Sequence, residues 1–204
     1  MIAIVDYGMG NRRSVEKAFA HVGVDAVITG DESAIRGADG VVLPGVGAFP
    51  EAMRSLAATG LNAVVTDVAA SGTPLLGICL GMQLLFERSD EHEGAEGLGL
   101  LPGDVAVLES PRLPHIGWNH VTFRREARLT EGLGAGAAFY HVHSHACRPA
   151  DTEDLVGTAE YGEVFASIVE RGNVFGAQFH PEKSSRDGLA LLRNFAGVCA
   201  ALPA

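Results

Sequence analysis

Residues 74 to 83 read Pro74-Leu-Leu-Gly-Ile-Cys-Leu-Gly-Met-Gln83, and this stretch decides the fold. Its first half is a short continuous apolar run, the pattern of a strand buried on both faces of a sheet. Its second half passes through Gly77-x-Cys79-x-Gly81 into a helical pattern. Glycine is needed on both sides of so sharp a turn, because a Cβ at either flank would collide with neighbouring backbone. Such a turn projects Cys79 into the crevice beyond the strand ends, where the sites of open α/β sheets form. It also sets the thiol at a helix N-terminus, whose dipole and free N–H groups favour a thiolate and make Leu80 N–H an oxyanion donor. Taken alone, GxCxG fits an inert buried cysteine at a strand end equally well.

Working outward, apolar runs at 2–5, 26–29, 41–43 and 75–78 alternate with helical patterns at 13–22, 49–58 and 61–70. Strands alternating with helices imply right-handed βαβ crossovers, hence a doubly wound α/β fold with a mostly parallel central sheet flanked by helices. From Gly103 onward the texture becomes β-rich and hairpin-like, with strand patterns at 105–108, 115–123, 138–145 and 165–179, the last broken at 170–173. The polar run 88–97 reads as a surface loop. Ser184 with Asp187 three residues on reads as a capping box that opens a closing helix through Cys199, which makes Cys199 a core residue.

A length of 204 residues with 47% hydrophobic and 20% charged side chains fits one domain spanning 1–204. Fifteen Lys and Arg against 25 Asp and Glu leave a net charge of −10, which argues against binding nucleic acid. No apolar run approaches a membrane span. The amino-terminal MIAIVDYGMG has no basic leader, so a cytoplasmic location is expected. The three cysteines, Cys79, Cys147 and Cys199, form neither a CxxC pair nor a disulfide framework.

A thiol nucleophile needs a base. Gln178-Phe-His180-Pro-Glu182 offers an imidazole with a carboxylate two residues later to orient it, the makings of a Cys/His/acid triad. Pro44-Gly-Val-Gly-Ala48 follows another strand and can aim the N–H of Val46 or Gly47 at a developing oxyanion. Each segment also has a plainer reading, as a surface His–Glu neighbourhood and as a simple strand-to-helix turn.

Together these segments resemble the triad class of glutamine amidotransferases, with GxCxGxQ at the elbow and FHPE at the base. Asp6-Tyr-Gly-Met-Gly-Asn11, Pro44-Gly-Val-Gly47, Pro114-His-Ile-Gly-Trp-Asn119 and Gln178-Phe-His-Pro-Glu-Lys-Ser184 narrow the resemblance to the glutaminase subunits of imidazole glycerol phosphate synthase. The resemblance implies that Cys79 attacks L-glutamine, His180 moves the protons and Glu182 orients His180. Leu80 with Val46 or Gly47 would then serve the oxyanion, while Gln83 and the His143-Ser144 segment hold the amino-acid end of glutamine. It further implies a heterodimer in which ammonia passes to a (β/α)8 cyclase subunit of histidine biosynthesis, faced by Asn11, Trp118 and Lys183. No cofactor and no metal are implied. The chain departs from the family at His141 and His145, where aromatic residues are common.

That departure opens another reading. His141, His143 and His145 alternate with period two, and with Cys147 in register they could bind a transition metal; the plainer alternative is imidazoles lining a polar pocket. Asp6-Tyr-Gly8-Met-Gly10 invites a dinucleotide reading that fails at its third glycine, where Arg13 stands. A redox-sensing module built on the elbow cysteine is a non-enzymatic alternative, against which the FHPEK segment speaks.

Overall fold

The computed structural model describes residues 1–201. In chain order the strands are β1 (Ile2–Val5), β2 (Ala26–Thr29), β3 (Gly40–Gly45), β4 (Leu75–Cys79), β5 (Phe86–Ser89), β6 (Ala95–Glu96), β7 (Leu101–Val107), β8 (His115–Phe123), β9 (Gly136–His143), β10 (His145–Pro149), β11 (Leu155–Tyr161), β12 (Glu163–Arg171) and β13 (Val174–Ala177). The helices are α1 (Arg12–His21), α2 (Glu32–Arg36), α3 (Phe49–Ala58), α4 (Leu61–Ala70), α5 (Leu80–Leu84) and α6 (Ser185–Ala200).

Nine strands form one sheet in the order β2-β1-β3-β4-β13-β12-β11-β8-β9. The first five run parallel, and from β13 onward every neighbouring pair is antiparallel. The α/β reading therefore holds, and most of the β-rich second half extends the central sheet, with β7 and β10 standing apart from it. The remaining strands make a small sheet, β10-β7-β5-β6.

Alternation along the buried strands assigns each side chain to one of two cores. On one face Ala3, Val5, Val41, Leu43 and Leu75 meet Phe49, Leu56, Val64 and Val65 of α3 and α4, together with Phe86 and Leu101 of the small sheet. On the other face Ile2, Ile4, Val42, Leu76 and Ile78 meet Val15 and Phe19 of α1 and Leu191, Leu192 and Phe195 of α6. Cys199 is buried in this second core, as its helical spacing implies.

Three expectations need correction. The run expected to be a single strand at 138–145 is broken at Ser144, so β9 and β10 belong to different sheets and His145 lies off the strand that carries His141 and His143. The segment expected to be a loop at 88–97 contains the end of β5 and all of β6. Ser184 does not cap α6 through its side chain. Its hydroxyl instead donates to the carbonyl of His180 at 2.6 Å and accepts from Tyr140 N–H at 3.0 Å.

Candidate active site

The elbow is built by close backbone packing at the carboxyl end of β4. A Cβ on Gly81 would lie 1.8 Å from the carbonyl oxygen of Leu43 in β3, and one on Gly77 would lie 2.6 Å from the carbonyl oxygen of Gly81. Glycine on each flank is what lets α5 start directly against β3. Cys79 sits between them at φ 54°, a left-handed value that a non-glycine residue holds only where the surroundings impose it.

The second component hangs from the end of β13. Tyr140 on β9 holds the backbone of His180, accepting its N–H at 2.9 Å, while Ser184 binds the His180 carbonyl. Nδ1 of His180 lies 2.9 Å from Oε1 of Glu182, whose side chain is 1% exposed and whose other oxygen is buried without a partner among the described residues. The carboxylate must accept, so Nδ1 donates and Nε2 is left for the thiol. Burial opposes a charge on His180, but hydrogen bonding and charge attraction to Cys79 and then Glu182 outweigh it and push the imidazole up to about 10.

The third component is the loop after β3. The Tyr7 hydroxyl donates to the Pro44 carbonyl at 2.8 Å, and Gly10 packs against Pro44, so the YGMG turn braces the end of β3 from which this loop springs. Burial, reinforced by the charge of Cys79, raises the Tyr7 phenol well above its usual range. Gly47 takes φ +104°.

These components meet in a cavity of about 300 Å³ lined by Val46, Gly47, Cys79, Leu80, Gln83, Glu91, Pro114, Val142, His143, Ser144, His145, His180 and Lys183. Nearly all the residues singled out from the sequence converge there. Glu182 stands behind the wall against His180, whereas Asn11 and Trp118 lie outside it. Gln83 donates to the carbonyl of His145 at 3.0 Å and to Oε1 of Gln178 at 3.1 Å, so its own carbonyl oxygen is what it can offer the cavity. Gln178 in turn reaches Cys79 Sγ at 3.9 Å. A larger hollow of about 770 Å³ around Phe123–Ala135 holds no cysteine or histidine.

Glu91 is the lining residue that the sequence reading missed, because it sits in the polar run taken for a surface loop. Its side chain is 15% exposed and accepts the Phe49 N–H at 2.7 Å, with Nδ1 of His145 3.8 Å away. A charged residue in a polar run carries no local mark of pointing inward.

A nucleophile on a strained elbow, an imidazole held charged by Cys79 and a buried carboxylate, and two candidate oxyanion segments form the constellation of acyl transfer from an amide. A family model for class-I glutamine amidotransferases matches residues 3–198. The chain belongs to this family. Among similar glutamine amidotransferases, the imidazole glycerol phosphate synthase subunit HisH of Bacillus cereus (strain G9842) is 52% identical over 199 residues, 97% of this chain and 95% of that protein. The HisH subunit of Moorella thermoacetica is 52% identical over 195 residues, 95% of this chain and 93% of that protein. A solved glutamine amidotransferase, 19% identical, superposes over 98% of this chain and 100% of its own with a TM-score of 0.78. PurLQS from Thermotoga maritima, 20% identical, covers 97% of each chain with a TM-score of 0.74. At such identities the solved structures speak for the fold alone.

Proposed function

We propose that this glutamine amidotransferase is the glutaminase subunit of a cytoplasmic imidazole glycerol phosphate synthase in histidine biosynthesis. The observation that carries the chemistry is the pairing of Cys79 at φ 54° with an imidazole pushed up to about 10 in the same cavity. The Cys79 sulfur attacks the side-chain amide carbon of L-glutamine as His180 holds the thiol proton. The oxygen that gains charge is met by the N–H of Leu80 and of Val46 or Gly47. His180 then gives its proton to the amide nitrogen, the C–N bond breaks and ammonia leaves. Water, deprotonated by His180, attacks the thioester carbon; the C–S bond breaks and glutamate departs. Glu91 offers a carboxylate to the substrate ammonium, and Gln83, His143 and Ser144 hold the amino-acid end.

The subunit assignment rests on the similarity to the HisH subunits and on a surface suited to a partner. Leu113, Ile116 and Trp118 expose 38%, 59% and 56% of their area, on the same stretch of chain as Pro114, which lines the cavity together with Lys183. A (β/α)8 cyclase subunit seated there, and against Asn11, receives the ammonia and forms imidazole glycerol phosphate and aminoimidazole carboxamide ribotide. Gly47 lets the loop peptide turn at little cost, so a partner that biases it can switch an oxyanion donor on. The test is glutamate release by the chain alone, with a cyclase subunit, and with that subunit plus a ribotide analogue. Rising turnover across the three supports the reading; full activity in the first removes the switch, and absence of turnover in all three overturns the function.

A further inference from the structure

Two buried imidazoles, His115 and His141, stand behind His143 of the cavity wall, and the neighbours of the three permit one arrangement of protons. Nδ2 of Asn119 donates to the carbonyl of Glu160 at 2.9 Å, which fixes the amide orientation because a carbonyl only accepts. The same Nδ2 lies 3.3 Å from Nε2 of His115, so that ring nitrogen is an acceptor and His115 carries its proton on Nδ1. Across the β8–β9 pair, His115 stands opposite His143, and its Nδ1 donates to Nε2 of His143 at 3.2 Å. Nδ1 of His143 donates onward to the carbonyl of His145 at 2.8 Å. Every bond points the same way, from Asn119 through His115 and His143 to the chain at residue 145.

The relay ends on a carbonyl that also accepts from Gln83 of the elbow helix. It therefore ties the 142–145 wall of the cavity to α5 just where β9 gives way to β10. We infer that His115 and Asn119 are positioning residues for glutamine, acting through His143 to hold this wall at the distance the substrate requires. Neither touches the cavity. Neutrality of the rings is part of the device, since a proton on His143 would repel the His180 imidazolium and destroy the acceptor that His115 needs. Burial keeps His143 down at about 4. The inference rests on the glutaminase reading of the cavity and adds to it two residues on a different strand.

A packing role alone would look different. His115 stacks on Tyr161 at 4.1 Å and on His141 at 5.0 Å, contacts that a phenyl ring keeps. His115→Phe therefore retains the stack and loses the relay, whereas His115→Gln can still accept at one end and donate at the other. The experiment measures kcat and KM for glutamine in the chain assembled with its cyclase subunit, alongside thermal unfolding. His115→Phe is expected to raise KM about tenfold with kcat within about threefold, and His115→Gln to bring KM back to within about threefold of the parent. Should His115→Phe not fold, Asn119→Ala leaves the buried ring in place and raises KM about threefold. An unchanged KM in whichever of these two variants is folded, or a Gln variant no better than Phe, overturns the relay. Failure of the parent to turn over glutamine overturns the functional reading instead, and the relay with it.

Discussion

The two halves of the central sheet position chemistry by different means. In the parallel half, α5 packs so closely on β3 and β4 that glycines at 77 and 81 are obligatory, and backbone geometry alone aims Cys79. In the antiparallel half, β8 and β9 carry a file of side chains, and one hydrogen bond between imidazoles, continued by another to the His145 carbonyl, reaches the cavity wall. Their titration runs in opposite senses. His180, at the seam between them, is pushed up to about 10, whereas burial first and neighbouring imidazoles in part hold His141 and His143 down at about 3 and 4. Backbone placement tolerates no added atom but is indifferent to pH; side-chain placement accepts isosteres but depends on protonation.

The largest expected effect breaks the parallel half at its one reactive atom. Cys79→Ala lowers glutamine hydrolysis about a thousandfold or more while leaving fold and partner binding intact. Supplied ammonia still supports product formation by the assembled complex. Residual hydrolysis at a tenth of the parent rate would mean that another group is the nucleophile.

Gly81→Ala tests the backbone argument directly. Its Cβ falls 1.8 Å from the Leu43 carbonyl oxygen, and α5 must move off β3 to admit it. The expected loss is about 3 kcal/mol in denaturant unfolding, together with most of the glutaminase activity. A parent-like midpoint would remove close packing as the cause of the glycine.

At the seam, Glu182→Gln is milder than His180→Ala, because the amide oxygen can still accept from Nδ1 and only the charge is lost. The Gln variant should keep roughly ten to a hundred times more activity than the Ala variant. Equal losses in folded proteins would contradict the orienting role.

The smallest effect concerns the antiparallel half. His141 Nδ1 faces the Phe139 carbonyl at 3.1 Å and therefore donates, so its Nε2 accepts from the Ser167 hydroxyl at 3.0 Å. His141→Phe strands both groups and costs about 1 kcal/mol at pH 7.5. The acid limb should respond in the other direction. A depressed folded pKa contributes stability that is present above the unfolded value near 6.5 and is lost as pH falls towards about 3. The parent thus loses about 1.4 kcal/mol per pH unit for this imidazole alone, a loss the variant escapes. The two stability curves should cross at about pH 5.8 in unfolding monitored from pH 5 to 8. His180 has the reverse sign: its contribution is present below 6.5 and fades as pH rises towards about 10. Parallel curves for parent and His141→Phe would break the comparison between the halves.

Much of the parallel half could be read in advance because its signals are short in sequence. The spans at 2–5, 26–29, 49–58 and 61–70 match the observed elements, and Cys79 between its glycines announced the elbow. Where pairing is distant, local pattern failed. Strand β11 was not anticipated, since Leu155–Tyr161 becomes a strand only between β8 and β12. Ser184 has the local look of a helix cap, yet its hydroxyl is taken by the His180 carbonyl and by the N–H of Tyr140, which lies 44 residues away. Period two left the histidines open to two readings, imidazoles lining a polar pocket or metal ligands, and His143 and His145 line the cavity. In the fold both ring nitrogens of His141 and of His143 are engaged by neighbouring protein groups, and among the described residues no cluster of three or more His, Cys, Asp or Glu offers a metal site.

The sequence by itself determined the layered α/β half, the strained turn at Cys79 and the His180–Glu182 pair, because each depends on residues within a few positions of one another. Only the tertiary structure decided that Glu91 faces inward, that Gln83 and His143 share the carbonyl of His145, and that a directed file of neutral imidazoles stands behind the wall. Those facts depend on which strands become neighbours and which hydrogen-bond partners burial then leaves available, and burial is a property of the folded whole.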